Sequence, residues 1–193
     1  MSPDKKIFYL NIPKNASTYI SNLLLHNSWE KWNIFEDPQP IETCIVFLRD
    51  PIDRWISGFS TYSALRLFGY GYGSDHFLSD FNTLSERIIF DQIIFDDHTE
   101  LQVNYIKQVL QFNIVYFRCH EIVKHLNYYL NTSLDDQLDI ESNHSESNFD
   151  TFQISKFLKD LIFRKPELSA RIVDAYKEDY NLINSIEFYN VPR

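Results

Sequence analysis

Two short stretches carry the residue types that grip anions. The first is NIPKNASTYI, Asn11 to Ile20, a Pro-Lys turn followed by small and hydroxylated residues that open a helix. The N–H groups of a first helical turn lack intrahelical partners, and the helix dipole is positive there, so negative charge is attracted. Ala16 and Ser17 are small enough for close backbone approach, Ser17 and Thr18 add hydroxyl donors, and Lys14 adds a full charge. This is not the G-x-x-x-x-G-K-[ST] pattern, because the lysine precedes the turn instead of ending it. The same residues also fit an ordinary Ser/Thr-capped helix beside a solvated lysine. The second stretch is VFLRDPIDRWISGF, Val46 to Phe59. Arg49 ends an apolar run, and Arg54 and Ser57 follow three residues apart on the next helix, opposite its apolar stripe. A strand-end arginine and a hydroxyl from the following helix can hold a phosphate through charge-assisted bonds. The alternative is a structural bridge from Arg49 to Asp50 or Asp53.

Taken together, these loops resemble the family of sulfotransferases that use 3′-phosphoadenosine 5′-phosphosulfate (PAPS). In that family a strand followed by Pro-Lys-x-x-[GS]-[TS] binds the 5′-phosphosulfate, and a second strand followed by Arg-Asp-Pro-x-x-Arg-x-x-Ser binds the 3′-phosphate. Here those positions are Pro13, Lys14, Ser17 and Thr18, then Arg49, Asp50, Pro51, Arg54 and Ser57. The resemblance implies a cofactor site of Pro13, Lys14, Asn15, Ala16, Ser17, Thr18, Tyr19, Arg49 and Ser57, with Lys14 catalytic. It implies PAPS as donor, PAP as product, and no metal. Asp97-His98 with Gln102 is similar to a segment of the carbohydrate sulfotransferases, although their Pro is Leu101 here. Weaker likenesses are Phe117–Glu121, Asn143-His144-Ser145 and the Asp174–Leu182 segment DAYKEDYNL. The acceptor is then a carbohydrate or small-molecule hydroxyl, and its proton needs a base. His98 is the first candidate, oriented by Asp97, and His76 the second. Tyr70 and Tyr72 could stack on a sugar face, and with His76 and Gln102 they form the expected substrate side. A non-catalytic nucleotide-binding protein and a P-loop-type phosphotransferase stay open as alternatives.

These loops need elements that hold them. Lys6–Ile12, Thr43–Leu48 and Asn113–Phe117 are short apolar runs that read as buried strands. A helix is expected from about Ser17. Another begins at Pro51 with Asp50 as N-cap and buries Ile52, Trp55, Ile56 and Phe59. Residues 80–95 and 99–110 read as helical, and Ile154, Phe157, Leu158, Leu161 and Ile162 form one helical stripe. Pro166 opens a last helix running to about Asn184. Gly69–Gly73 (GYGYG) holds three of the four glycines and reads as a flexible loop; Asp135–Asn148 reads as a polar surface loop. Strands alternating with helices predict a single α/β domain over 1–193, three layers with a central parallel sheet. The resemblance adds a P-loop-like sulfotransferase architecture. Ligands in such sheets sit beyond the carboxyl ends of the strands.

Composition narrows the function classes. The chain has 193 residues and 44% hydrophobic side chains, which suits a folded domain with a substantial core. No apolar run reaches the roughly 18–20 residues of a membrane span, and the N-terminal run, broken by Asn11, Pro13 and Lys14, does not read as a secretory signal. Net charge is −9, which disfavours nucleic acid as a partner. Residues 1–70 carry 7 basic and 7 acidic side chains; residues 71–193 carry 11 and 20. An anionic ligand therefore belongs with the first third. Cys44 and Cys119 lie in apolar runs without C-x-x-C spacing, predicting buried reduced thiols and a reducing, cytoplasmic setting. His120, Glu121 and His125 come near the zinc motif H-E-x-x-H. On one helix a five-residue step would leave the second histidine about 140° off the face, so zinc is not expected there.

Overall fold

The computed structural model describes residues 1–31, 41–67, 92–134 and 149–191. Strand β1 is Ile7–Leu10, β2 is Thr43–Leu48 and β3 is Asn113–Arg118. They form a parallel sheet in the order β1-β2-β3, so the chain is mixed α/β. Leu10 lies opposite Val46, and Val46 opposite Tyr116. The central position of β2 explains its sequence. It is buried on both faces from Cys44 to Leu48, and it is apolar without alternation, as parallel strands are. The edge of the sheet is softer: β1 is shorter than the apolar run Lys6–Ile12, and only Phe8 within it is fully buried.

The described chain falls into two compact units. The first comprises Met1–Arg49, Gln102–Ile140 and Leu182–Arg193; the second comprises Asp50–Leu101 and Glu141–Asn181. In the first unit each face of the sheet is covered. On one face Ile45, Phe47 and Phe117 pack with Ile20, Leu23 and Leu24 of helix α1 (Ser17–His26) and Leu126. On the other, Cys44, Val46 and Leu48 pack with Ile106, Val109 and Phe188. The period-two alternation of a strand thus feeds two cores from one apolar run. Helix α3 (Gln102–Ile106) continues as a 3₁₀ turn, Lys107–Val109, and begins three residues later than the expected start at 99. Helix α4 is Ile122–Leu130.

The second unit is helical. Helix α2 (Pro51–Tyr62) starts as its sequence predicts. Asp50 accepts hydrogen bonds from the N–H groups of Ile52 and Asp53, and Pro51 stands in the first turn. It runs on into a π-helical turn, Ser63–Leu67. Trp55, Ile56 and Phe59 are buried and pack with Ile154, Leu158 and Leu161 of helix α5 (Phe149–Arg164) and with Leu168 and Ile172 of helix α6 (Pro166–Ala175).

Two expected helices are corrected. Residues 92–101 are irregular. Thr99 Oγ1 accepts from the N–H groups of Phe95 and Asp96, and Asp96 Oδ1 accepts from His98 N–H. Such side-chain bonds to backbone compete with a helical ladder. Residues 80–91 of that same expected helix, the glycine-rich loop 69–73 and the polar loop 135–148 lie outside the described residues. The last helix is broken at Tyr176, which separates α6 from helix α7 (Lys177–Ser185). Tyr176 is fully buried and its hydroxyl donates to the Thr99 carbonyl, a tie that overrides a continuous helix. No described helix is long and apolar enough to cross a membrane.

Candidate functional site

The turn after β1 is wound left-handed twice. Lys14 has φ 70° and Ala16 φ 56°, with Asn15 between them. Non-glycine residues pay roughly 1–2 kcal/mol for this conformation, and strain of that kind collects at functional sites. Alternating the backbone hand turns successive N–H groups into one concavity, a nest suited to an anion. Helix α1 begins at once, and its N-cap is Ala16, with no side chain capping it. The Ser/Thr-capped alternative is therefore excluded. The N–H groups of Ala16, Ser17 and Thr18 meet no acceptor among the described residues. Ser17 is half-buried and Thr18 exposed.

Arg49 reaches this same turn. Its Nη1 donates to the Lys14 carbonyl at 3.3 Å. The bridge to Asp50 or Asp53 is not what forms; Asp50 is occupied in capping α2. The half-buried Arg49 thus brings its guanidinium to the turn that carries the half-buried Lys14, at the carboxyl ends of adjacent strands.

Two residues expected at the ligand have amides engaged within the first unit. Asn15 is fully buried, and its Nδ2 donates to Phe47 O at 2.8 Å and Gln102 Oε1 at 2.7 Å. Gln102 is also fully buried. Its Oε1 accepts from Arg49 N–H at 3.1 Å, and its Nε2 donates to Arg49 O at 3.0 Å. One amide thereby clamps Arg49 from both sides of its backbone and holds Asn15. The Gln102 amide thus engages the residue 49 backbone and Asn15, and the Asn15 amide nitrogen is turned inward toward the end of β2. Tyr19 packs its ring against the core of the first unit, and Pro13 is half-buried in the turn.

In the second unit, Arg54 corrects the reading of an open polar face. It is fully buried; its guanidinium donates to the Glu100 carbonyl and, at 3.5 Å, to the Asp97 carbonyl. It braces the loop that carries His98. Ser57 sits half-buried on α2. His98 Nδ1 lies 3.0 Å from Asp96 Oδ2 and 3.2 Å from Asp97 Oδ1. Asp96 joins the expected Asp97 as an orienting group and also fixes the His98 backbone. An ionised carboxylate only accepts, so the Nδ1 that faces Asp96 and Asp97 carries a hydrogen. Gly58 permits the close packing. A Cβ there would overlap the His98 carbonyl oxygen and stand 2.8 Å from its carbon. Burial raises the Tyr176 phenol pKa, with the Arg54 charge opposing the shift.

His76, Tyr70 and Tyr72 lie outside the described residues. Near the end of β3, Glu121 is left-handed (φ 48°) and is the N-cap of α4. His120 therefore precedes the helix, and the one-helix premise behind the spacing argument does not hold. The rings of His120 and His125 are 5.2 Å apart. No protein-family model, curated protein or solved structure matches the chain.

Proposed function

We propose that the chain is a PAPS-dependent sulfotransferase with a P-loop-like architecture, moving the sulfuryl group to a hydroxyl of a carbohydrate or small-molecule acceptor. The supporting observation is the uncapped N-terminus of α1, preceded by two left-handed residues and bordered by Lys14 and Arg49. The amides of Ala16 to Thr18 and the hydroxyls of Ser17 and Thr18 hold the 5′-phosphosulfate. Arg49 serves the 3′-phosphate, and the motif assigns Ser57 to the same task. Catalysis in this reading is positioning plus charge stabilisation. The acceptor oxygen attacks sulfur, the bond from sulfur to the bridging oxygen breaks, and that oxygen keeps the electron pair as PAP leaves. Lys14 stabilises the developing charge. His98 Nε2 takes the acceptor proton, and Asp96 and Asp97 stabilise the imidazolium. Free Cys44 and Cys119 fit the reducing, cytoplasmic setting the sequence predicts.

Calorimetry with PAP and ATP tests the reading. ATP lacks the 3′-phosphate and leaves the Arg49 partner unmade, at a cost of roughly 1–3 kcal/mol. PAP is expected to bind about 5- to 150-fold more tightly. Equal affinity for the two nucleotides overturns the assignment, and tighter ATP binding favours the phosphotransferase alternative.

A further inference from the structure

We propose that His120, Glu121 and His125 form a zinc site at the junction of β3 and α4, independent of the sulfotransferase reading. One ligand atom from each of the three lies within 4.8 Å of the others. Zinc bonds of about 2.0–2.1 Å in a tetrahedron would set neighbouring ligand atoms roughly 3.4 Å apart. The remaining closure falls to His120 and Glu121, which are exposed and can rotate. His125 is the fixed member. It is 6% exposed, and its Nδ1 has no hydrogen-bond partner among the described residues. Buried ring nitrogens are ordinarily satisfied, and this unsatisfied one belongs to a ring that stands beside a second imidazole and a carboxylate, the setting of a missing electrophile.

The donor set decides the class of ion. Two imidazoles and a carboxylate suit zinc and its transition-metal neighbours, whereas calcium and magnesium need more oxygens. Three protein ligands leave a fourth position for water. Glu121 now pairs with Lys124 at 3.0 Å, but both side chains are more than half exposed. Exposed pairs of this kind are weak and yield readily to a divalent cation. The left-handed backbone at Glu121 is what makes the site. It turns His120 off the helix line and back beside His125, a placement that regular helix could not give at this spacing.

The test is titration of the intact protein with Co²⁺ alone, read by its visible d–d absorption, followed by displacement with Zn²⁺. One equivalent with tetrahedral bands is expected. His120→Ala and Glu121→Gln, both at exposed positions, should each weaken binding by more than the roughly 10–100-fold that loss of an outer-shell partner costs. Lys124→Gln should tighten binding by removing a competing cation. His98→Ala controls for the other cluster of this type, Asp96, Asp97 and His98, and should leave the signal intact. Absence of binding, full binding in the His120 and Glu121 variants, or loss of the signal in His98→Ala overturns the proposal.

Discussion

Lys14 does two jobs that pull apart under substitution. Its backbone supplies a left-handed turn residue and a carbonyl that Arg49 holds; its side chain supplies charge. Lys14→Ala keeps the carbonyl and deletes the ammonium. In the proposed reaction that charge matters most as the bridging oxygen becomes anionic, so turnover should fall more than binding. Loss of one contact made at developing charge typically costs about 10²–10³ in rate. Single-turnover transfer from PAPS, set beside PAP affinity in the same variant, measures the split. A rate equal to wild type removes Lys14 from the chemistry, and equal losses in rate and affinity make it a binding residue only. The motif residues themselves were legible in the sequence, but their division of labour was not. Arg54 is spaced as a phosphate ligand would be, yet it is buried and braces the 97–100 backbone. Nothing in a local pattern distinguishes those two fates, because the carbonyls that satisfy Arg54 lie more than forty residues away along the chain.

Elements follow the same division between local and distant causes. The start of α2 was readable because Asp50 and Pro51 act on their own turn, and β2 because a six-residue apolar run has few other destinations. The irregular 92–101 segment and the break at Tyr176 were not, since each depends on Thr99 meeting partners that periodicity does not encode. Gln102 shows the consequence most clearly. It opens α3 and clamps the end of β2, so removing its amide should loosen the loop after β2 without touching a ligand. Gln102→Ala leaves the Arg49 N–H and an Asn15 amide hydrogen without their partners. At about 1–3 kcal/mol for each of these two unsatisfied groups, urea unfolding should show a loss of roughly 2–6 kcal/mol, and PAP affinity should fall with it. A variant of unchanged stability that raises only the acceptor KM would restore Gln102 to the substrate side. Gly58→Ala probes the other loop. Its new methyl meets the His98 backbone, which must shift. Turnover should drop more than PAP binding, proposed to rest on Lys14, Ala16–Thr18, Arg49 and Ser57, and overpacking should cost about 1–3 kcal/mol. Full activity in this variant would argue that the position of His98 is immaterial.

At the scale of the whole molecule, both units hide acids that ionise only at high pH. In the first, burial raises the thiols of Cys44 and Cys119, the latter to about 12, and raises the Tyr9 phenol well above its ordinary range. In the second, burial is again the largest cause for Tyr176 and for Tyr180, which is pushed to about 12 with Asp50 adding to the shift. The sign follows from proton counting. In the unfolded chain thiols and phenols ionise near their ordinary values of 9.0 and 10.0, whereas the folded chain retains those protons. The folded state then binds more protons than the unfolded one, so stability falls as pH rises. The contribution is complete below about pH 9 and is lost progressively as pH climbs toward the folded values. Each fully buried group adds about 1.4 kcal/mol per pH unit once its unfolded counterpart is ionised. For Cys44 and Tyr9 together that is a slope approaching 3 kcal/mol per unit above about pH 10. Urea midpoints should decline steeply above about pH 10, with the m-value unchanged if unfolding stays two-state. Cys44→Ala would shallow the decline while also costing packing in the sheet core, so the slope and not the midpoint is the quantity to compare. A midpoint that holds constant to pH 11 would mean that these groups ionise in the folded chain as freely as in the unfolded one, and that the cores around Cys44 and Tyr9 admit water.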